Sequence, residues 1–152
     1  MKKMALIFSL VVILPMALCA RMGESMEQCE ARYGKPVEGV GEQPDEYGSL
    51  MYMYKSKGVH VVPSFYEGTV EGIMYFRRTA FLRSDIEILL EANGGGKKWI
   101  RQSALGSWKT EDGELIASYD PLKNILAITS KAAMDRARKV EESKSKEALS
   151  GF

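Results

Sequence analysis

Residues Val59–Arg77 read VHVVPSFYEGTVEGIMYFR. Val59–Tyr66 and Thr69–Arg77 are rich in β-branched and aromatic side chains, and Glu67-Gly68 between them has the two-residue length of a tight hairpin turn. Pro63 has no amide hydrogen, so the middle of the first of these strands is expected at a sheet edge or a bulge. Working backwards, Ser56–Gly58 is a turn. Before it Leu50, Tyr52 and Tyr54 alternate with Met51, Met53 and Lys55, so Ser49–Lys55 reads as one further strand of an antiparallel meander. Val37–Gly48 holds three glycines and a proline and reads as a loop. Ser25 followed by Gln28 is a capping box that starts a short helix, and Gly34 with Pro36 stops it.

The same order then recurs. Ser84 with Glu87 reads as a second capping box, with Ile86, Leu89, Leu90 and Asn93 at helical spacing before Gly94–Gly96. Strands follow at Trp99–Ser103, Ser107–Thr110, Glu114–Tyr119 and Asn124–Thr129, with turns at Asp112-Gly113 and Asp120-Pro121. Tyr54 to Phe65 spans 11 residues, as does Trp108 to Tyr119, which favours an internal repeat of residues 25–78 and 84–130. Aligning the halves assigns the faces. Val61, Pro63, Phe65, Leu115, Ala117 and Tyr119 should meet the helices, while His60, Ser64, Glu114 and Ser118 should face water with Tyr66, Glu71, Tyr75 and Arg77. The fold class is α+β: tandem helix-plus-antiparallel-meander repeats in residues 21–130, with the helices packed on one face of the sheet.

Residues 1–20 have the three-part order of a secretory signal peptide: Lys2 and Lys3, an apolar run from Met4 to Leu18, then small residues. The run is too short for the ~20 residues that span a bilayer, so it is read as cleaved, best after Ala20. Cys19 raises the alternative of a lipid anchor, which Leu18 just before it disfavours. Cleavage leaves 19 basic and 20 acidic side chains, a balance with no electrostatic footprint for nucleic acid. It also leaves Cys29 as the sole thiol, suited to burial or to a bridge between chains rather than to an internal disulfide. Residues 131–152 hold ten charged side chains and the thin stripe Ala133, Ala137 and Val140. They read as a solvated helix or tail that frays from Ser143.

Catalytic signatures fail on inspection. His60 is the only histidine, which excludes a histidine metal cluster, and no nucleophile elbow accompanies it. Asn93–Lys98 (NGGGKK) ends a helix instead of opening one and has Glu91 where a phosphate loop needs its first glycine. No cofactor or metal is expected. Trp99, Trp108 and the tyrosines read mainly as core and sheet-pairing residues.

Tyr33-Gly34-Lys35-Pro36 closing a helix, with Phe65-Tyr66-Glu67-Gly68 at a hairpin, resembles the small exported module of β-lactamase inhibitor proteins and of the small outer-membrane-assembly lipoprotein. The resemblance implies a bacterial envelope-side binding role without catalysis, and no residue role is carried over from it. The expected function is therefore an exported, periplasmic or extracellular, non-enzymatic module. Its open sheet face would bind another protein, with His60, Tyr66, Tyr75, Arg77 and Trp108 as candidate contacts. The rival readings are a small envelope enzyme using His60 and a structural component anchored through Cys19.

Overall fold

A computed structural model describes residues 21–39, 41, 43–104 and 106–150. The signal peptide, its cleavage point and Cys19 lie outside the described residues. In chain order the elements are α1 Met26–Tyr33, β1 Leu50–Met51, β2 Tyr54–Ser56, β3 Val59–Tyr66, β4 Thr69–Phe76, α2 Arg83–Asn93, β5 Trp99–Ser103, β6 Ser107–Thr110, β7 Leu115–Asp120, β8 Ile125–Ser130 and α3 Lys131–Leu149. The protein is α+β. Its eight described strands form one antiparallel sheet in the order β1-β3-β4-β8-β7-β6-β5, with β2 also on β3.

The hairpin that anchors the sequence reading is the β3–β4 pair. Glu67 and Gly68 both take positive φ, 50° and 82°, which lets a two-residue turn follow the twist of its strands. Pro63 is not at an edge, because β3 lies between β1–β2 and β4. The Pro63 carbonyl accepts from the Tyr52 N–H at 3.3 Å, so its missing donor faces the same neighbour. There the expected single strand Ser49–Lys55 is interrupted, leaving β1 and β2 as two short pieces. A bulge does occur beside the proline, but in the partner strand and on the side away from its missing donor. Ser64 pairs with Gly72 but Phe65 pairs with Val70, so Glu71 is the extra residue of β4.

Each half runs helix then meander, and the last strands of the two meanders, β4 and β8, pair antiparallel from Gly72↔Thr129 to Phe76↔Ile125. Both α1 and α2 lie on one face. Cys29 from α1 and Ile86, Leu89 and Leu90 from α2 share a core with Tyr54, Val61, Phe65, Ile73, Tyr75, Ala117, Leu126 and Ile128. Each large apolar side chain buried there contributes about 1.5–3 kcal/mol relative to exposure. The face assignment holds for Val61, Pro63, Phe65, Leu115 and Ala117, all buried, and for Tyr119, which packs against that core.

The cap of α1 forms as read: the Gln28 N–H donates to Ser25 Oγ, and the Ser25 N–H donates to Gln28 Oε1 at 2.8 Å. The cap of α2 differs. Leu82, not Ser84, precedes the helix, and Asp85 in its first turn accepts the Leu82 N–H at 2.9 Å. Phe81 sets this start, because its ring is buried while its N–H donates to the Tyr119 hydroxyl at 3.2 Å. The C-terminal segment does not fray at Ser143, since α3 runs on to Leu149, though none of its residues is buried.

Candidate functional site

Strand register arranges the face opposite α1 and α2 into rows that cross the sheet. One row is Lys55, His60, Phe76, Ile125 and Asp120. The next is Val62, Met74, Ala127, Ser118 and Ser107. A third runs Met51, Ser64, Gly72, Thr129, Ile116, Lys109 and Ile100. Neither α1 nor α2 reaches this face. Met74 is 37% exposed and Ile100 41%, and Phe76, Ile116, Ile125 and Ala127 are half-buried, so the middle of the face is an apolar strip open to solvent.

The start of α3 covers the far end of the same face. Ala133 lines a small cleft with Val62, Ser64, Gly72 and Thr129. Arg136 stacks 3.6 Å above the Tyr66 ring, pairs with Glu71, and donates to the Tyr47 carbonyl at 3.1 Å and Ser49 Oγ at 3.2 Å. Glu71 and Tyr66, expected to face water, are thus occupied by the chain's own arginine.

The five expected contact residues do not form one site. His60 lies on the open face, its ring stacked on Phe76 at 4.6 Å and 7°. Its Nδ1 is buried without a hydrogen-bond partner among the described residues. Tyr66 is under Arg136. Tyr75 is 1% exposed on the helix side, where its hydroxyl accepts from Asn93 Nδ2 at 3.0 Å. The Glu71 bulge is the reason: uninterrupted alternation puts Tyr75 in phase with Glu71, and one extra residue turns it into the core. Arg77 clips the loop after β4 to α2, bonding Asp85 and the carbonyls of Thr79 and Ala80 while lying over Phe81. The Asp85 carboxyl is held below its usual range, first by the Leu82 N–H and then, against a burial effect that raises it, by Arg77.

Trp108 is half-buried on the helix side. With Phe81, Ile86, Tyr119 and Pro121 it lines a groove of about 700 Å³ beside the start of α2, with Arg101 at its rim. Gly106, which lies against the indole, takes φ of +85°, a conformation that suits glycine and strains other residues. A smaller hollow of about 320 Å³ lies between α1 and α2, over Val61, Tyr75 and Leu89. Alternation gave no signal for either hollow, because each joins strand residues to loop and helix residues that come together only in the fold. Among the described residues no three histidine, cysteine or acidic side chains are grouped to hold a metal ion, and no helix is long and apolar enough to cross a membrane.

No family model matches the sequence, and no curated protein matches it. Among solved structures the chain is similar to a cysteine-rich secretory protein from Staphylococcus aureus subsp. aureus Mu50, at 12% identity and a TM-score of 0.44, over 73% of this chain and 44% of that one. It is also similar to an extracellular protein containing an SCP domain from Bacillus anthracis str. Ames, at 13% identity and a TM-score of 0.48, over 91% of this chain and 52% of that one. The chain therefore spans about half the length of each of these structures. Both are described as secretory or extracellular proteins, and neither is a β-lactamase inhibitor or an assembly lipoprotein.

Proposed function

We propose that the chain is an exported, non-enzymatic module that binds another protein through the open face of its sheet. The observation that carries this reading is the apolar strip centred on Met74, Phe76, Ile116 and Ile125, left uncovered while α1 and α2 pack on the opposite side. Solvent-exposed apolar surface of this kind is retained where a partner removes it from water. Export rests on the Lys2-Lys3 and Met4–Leu18 pattern. The surroundings of His60 support binding over catalysis. Among the described residues no carboxylate lies within ion-pair distance of the ring, and its flat stacking on Phe76 makes it part of the strip.

The test is capture from the native cell envelope with the mature chain as bait, comparing wild type with Met74→Glu and Trp108→Ala. Met74 is exposed in a sheet face, so its replacement leaves the melting temperature nearly unchanged while placing a charge in the middle of the strip. Wild type should recover a stoichiometric protein that Met74→Glu loses by tenfold or more, an effect on the order of that seen when a central contact is lost. Equal recovery by Met74→Glu, with loss only for Trp108→Ala, would move the binding site to the groove beside α2. Recovery of no protein by the wild type would overturn the reading.

A further inference from the structure

Helix α3 is attached to the sheet in an unusual way for an element 19 residues long, since none of its residues is buried. Its sheet-facing side offers Ala133, Ala137 and Val140, and two clefts open to solvent, of about 180 and 190 Å³, run between it and the strands. A close-packed seam leaves no such gaps, and the helix meets the strands through short, half-exposed side chains, so it rests on the sheet without meshing with it. One side chain makes the most sheltered attachment. Arg136 reaches Glu71, Ser49, the Tyr47 carbonyl and the Tyr66 ring at once, and the Arg136 and Glu71 side chains are only 22% and 13% exposed. Beyond Val140 the contacts are at the surface: Glu141 accepts from the Tyr47 hydroxyl at 3.0 Å, and Lys144 pairs with Glu46. Exposed pairs of this kind hold an element weakly. At the other end Ser130 caps the helix, accepting the Ala133 N–H at 3.1 Å, and the Lys131 N–H is tied to the Glu114 carbonyl at 2.8 Å. The helix therefore has a fixed root, one clamp in its second turn and no core of its own.

We propose that α3 is a displaceable strap. It lifts about its Ser130 root when the Arg136 clamp lets go, uncovering Val62, Ser64, Gly72, Thr129 and Tyr66. The open strip would then extend to the far end of the sheet. A partner that needs this longer surface competes with α3 for it, so the strap sets how much of the face is available. The competition rests on the reading that the open face binds protein; the lifting does not.

Native-state hydrogen exchange on the full chain, followed residue by residue, tests the lifting. Amides in the second half of α3 should exchange at least about a hundredfold faster than those of Tyr75 and Leu126, as segments that open locally do. Arg136→Met keeps the stem and removes the charge; it should speed α3 exchange about tenfold while β4 and β8 stay unchanged, the size expected for one charged hydrogen-bonding group. Ala133→Leu, which fills the cleft, should slow it. Protection of α3 equal to that of β4 and β8, or α3 rates unmoved by Arg136→Met, would overturn the strap. Envelope capture separates the two ideas. Arg136→Met should raise recovery of the partner and Ala133→Leu lower it. Unchanged recovery despite faster α3 exchange would end the competition, whereas recovery indifferent to Met74→Glu would end the open-face reading and leave the exchange result to decide the lifting.

Discussion

Cys29 is fully buried beneath α1, and burial first and the nearby Glu24 second push its thiol up to about 12. It is thus the buried small hydrophobe of the two roles open to a lone thiol, not a bridge between chains. Burial also pushes the Tyr54 hydroxyl up to about 12. Both groups hold their protons more tightly folded than unfolded, so their contribution is complete below their ordinary values of 9.0 and 10.0 and is lost as pH rises toward 12. Denaturation at stepped pH should show stability falling from about pH 9, and Cys29→Ala should flatten the first part of that slope. A thiol reagent at pH 8 should leave the folded protein unmodified and react once denaturant is added. Gly94 is constrained by its neighbour rather than by its backbone, because a Cβ there would sit 2.7 Å from Trp99 Nε1. That nitrogen donates to the Leu90 carbonyl at 2.7 Å. Gly94→Ala should therefore cost about 1–3 kcal/mol in a urea titration, as overpacking does, despite alanine being the better helix former. At this scale the alternation on β3 and β7 could be read from Val61, Phe65 and Ala117. Tyr75 was misplaced by counting alternate residues straight through Glu71 and Gly72, although an isolated glycine inside a strand is itself a mark of a bulge.

Among the elements, α2 depends most on a contact outside itself. Its cap lacks a side-chain acceptor at Leu82, and Arg77 compensates by binding Asp85 while tying down the Thr79 and Ala80 carbonyls. Arg77→Met should lower stability by about 1–2 kcal/mol, the scale of a charge-assisted hydrogen bond, and hydrogen exchange should show the first turn of α2 loosening before the sheet does. The pH dependence of the same cap has the opposite sense to that of Cys29. The Asp85 carboxyl is held below its ordinary 3.8, so its contribution is present above that value and disappears as pH falls through the lower folded one. Strand and helix positions were legible because each carries its own period and its own stops. The cap of α2 was not, because Ser84 and Glu87 satisfy the local rule equally well, and the true start is fixed by Phe81 entering the core and meeting Tyr119, 38 residues away in the chain. The continuation of α3 was missed for a related reason. Its ten charged side chains look like a solvated tail until Glu71 and Glu46, far back in the sequence, supply partners for Arg136 and Lys144.

For the molecule as a whole, the sequence revealed two faces of unequal character but not what occupies them. The polar-looking positions His60 and Ser64 do lie opposite α1 and α2, yet the intervening Val62, Met74, Phe76 and Ile116 make that side greasier than the alternation suggested. Met74→Glu is the corresponding prediction: capture of a partner should be lost while the melting curve stays put. Within the sheet the two halves are joined by a single pair of strands, β4 with β8, and the chain crosses between them only through the segment from Arg77 to Leu82. Nothing in that pairing distinguishes the β8 of one molecule from the β8 of another. At high concentration or after partial heating, two chains can reclose with their second halves traded, giving an intertwined dimer with the same contacts as the monomer. Slow interconversion of two species on a sizing column, with identical circular dichroism, would be its signature.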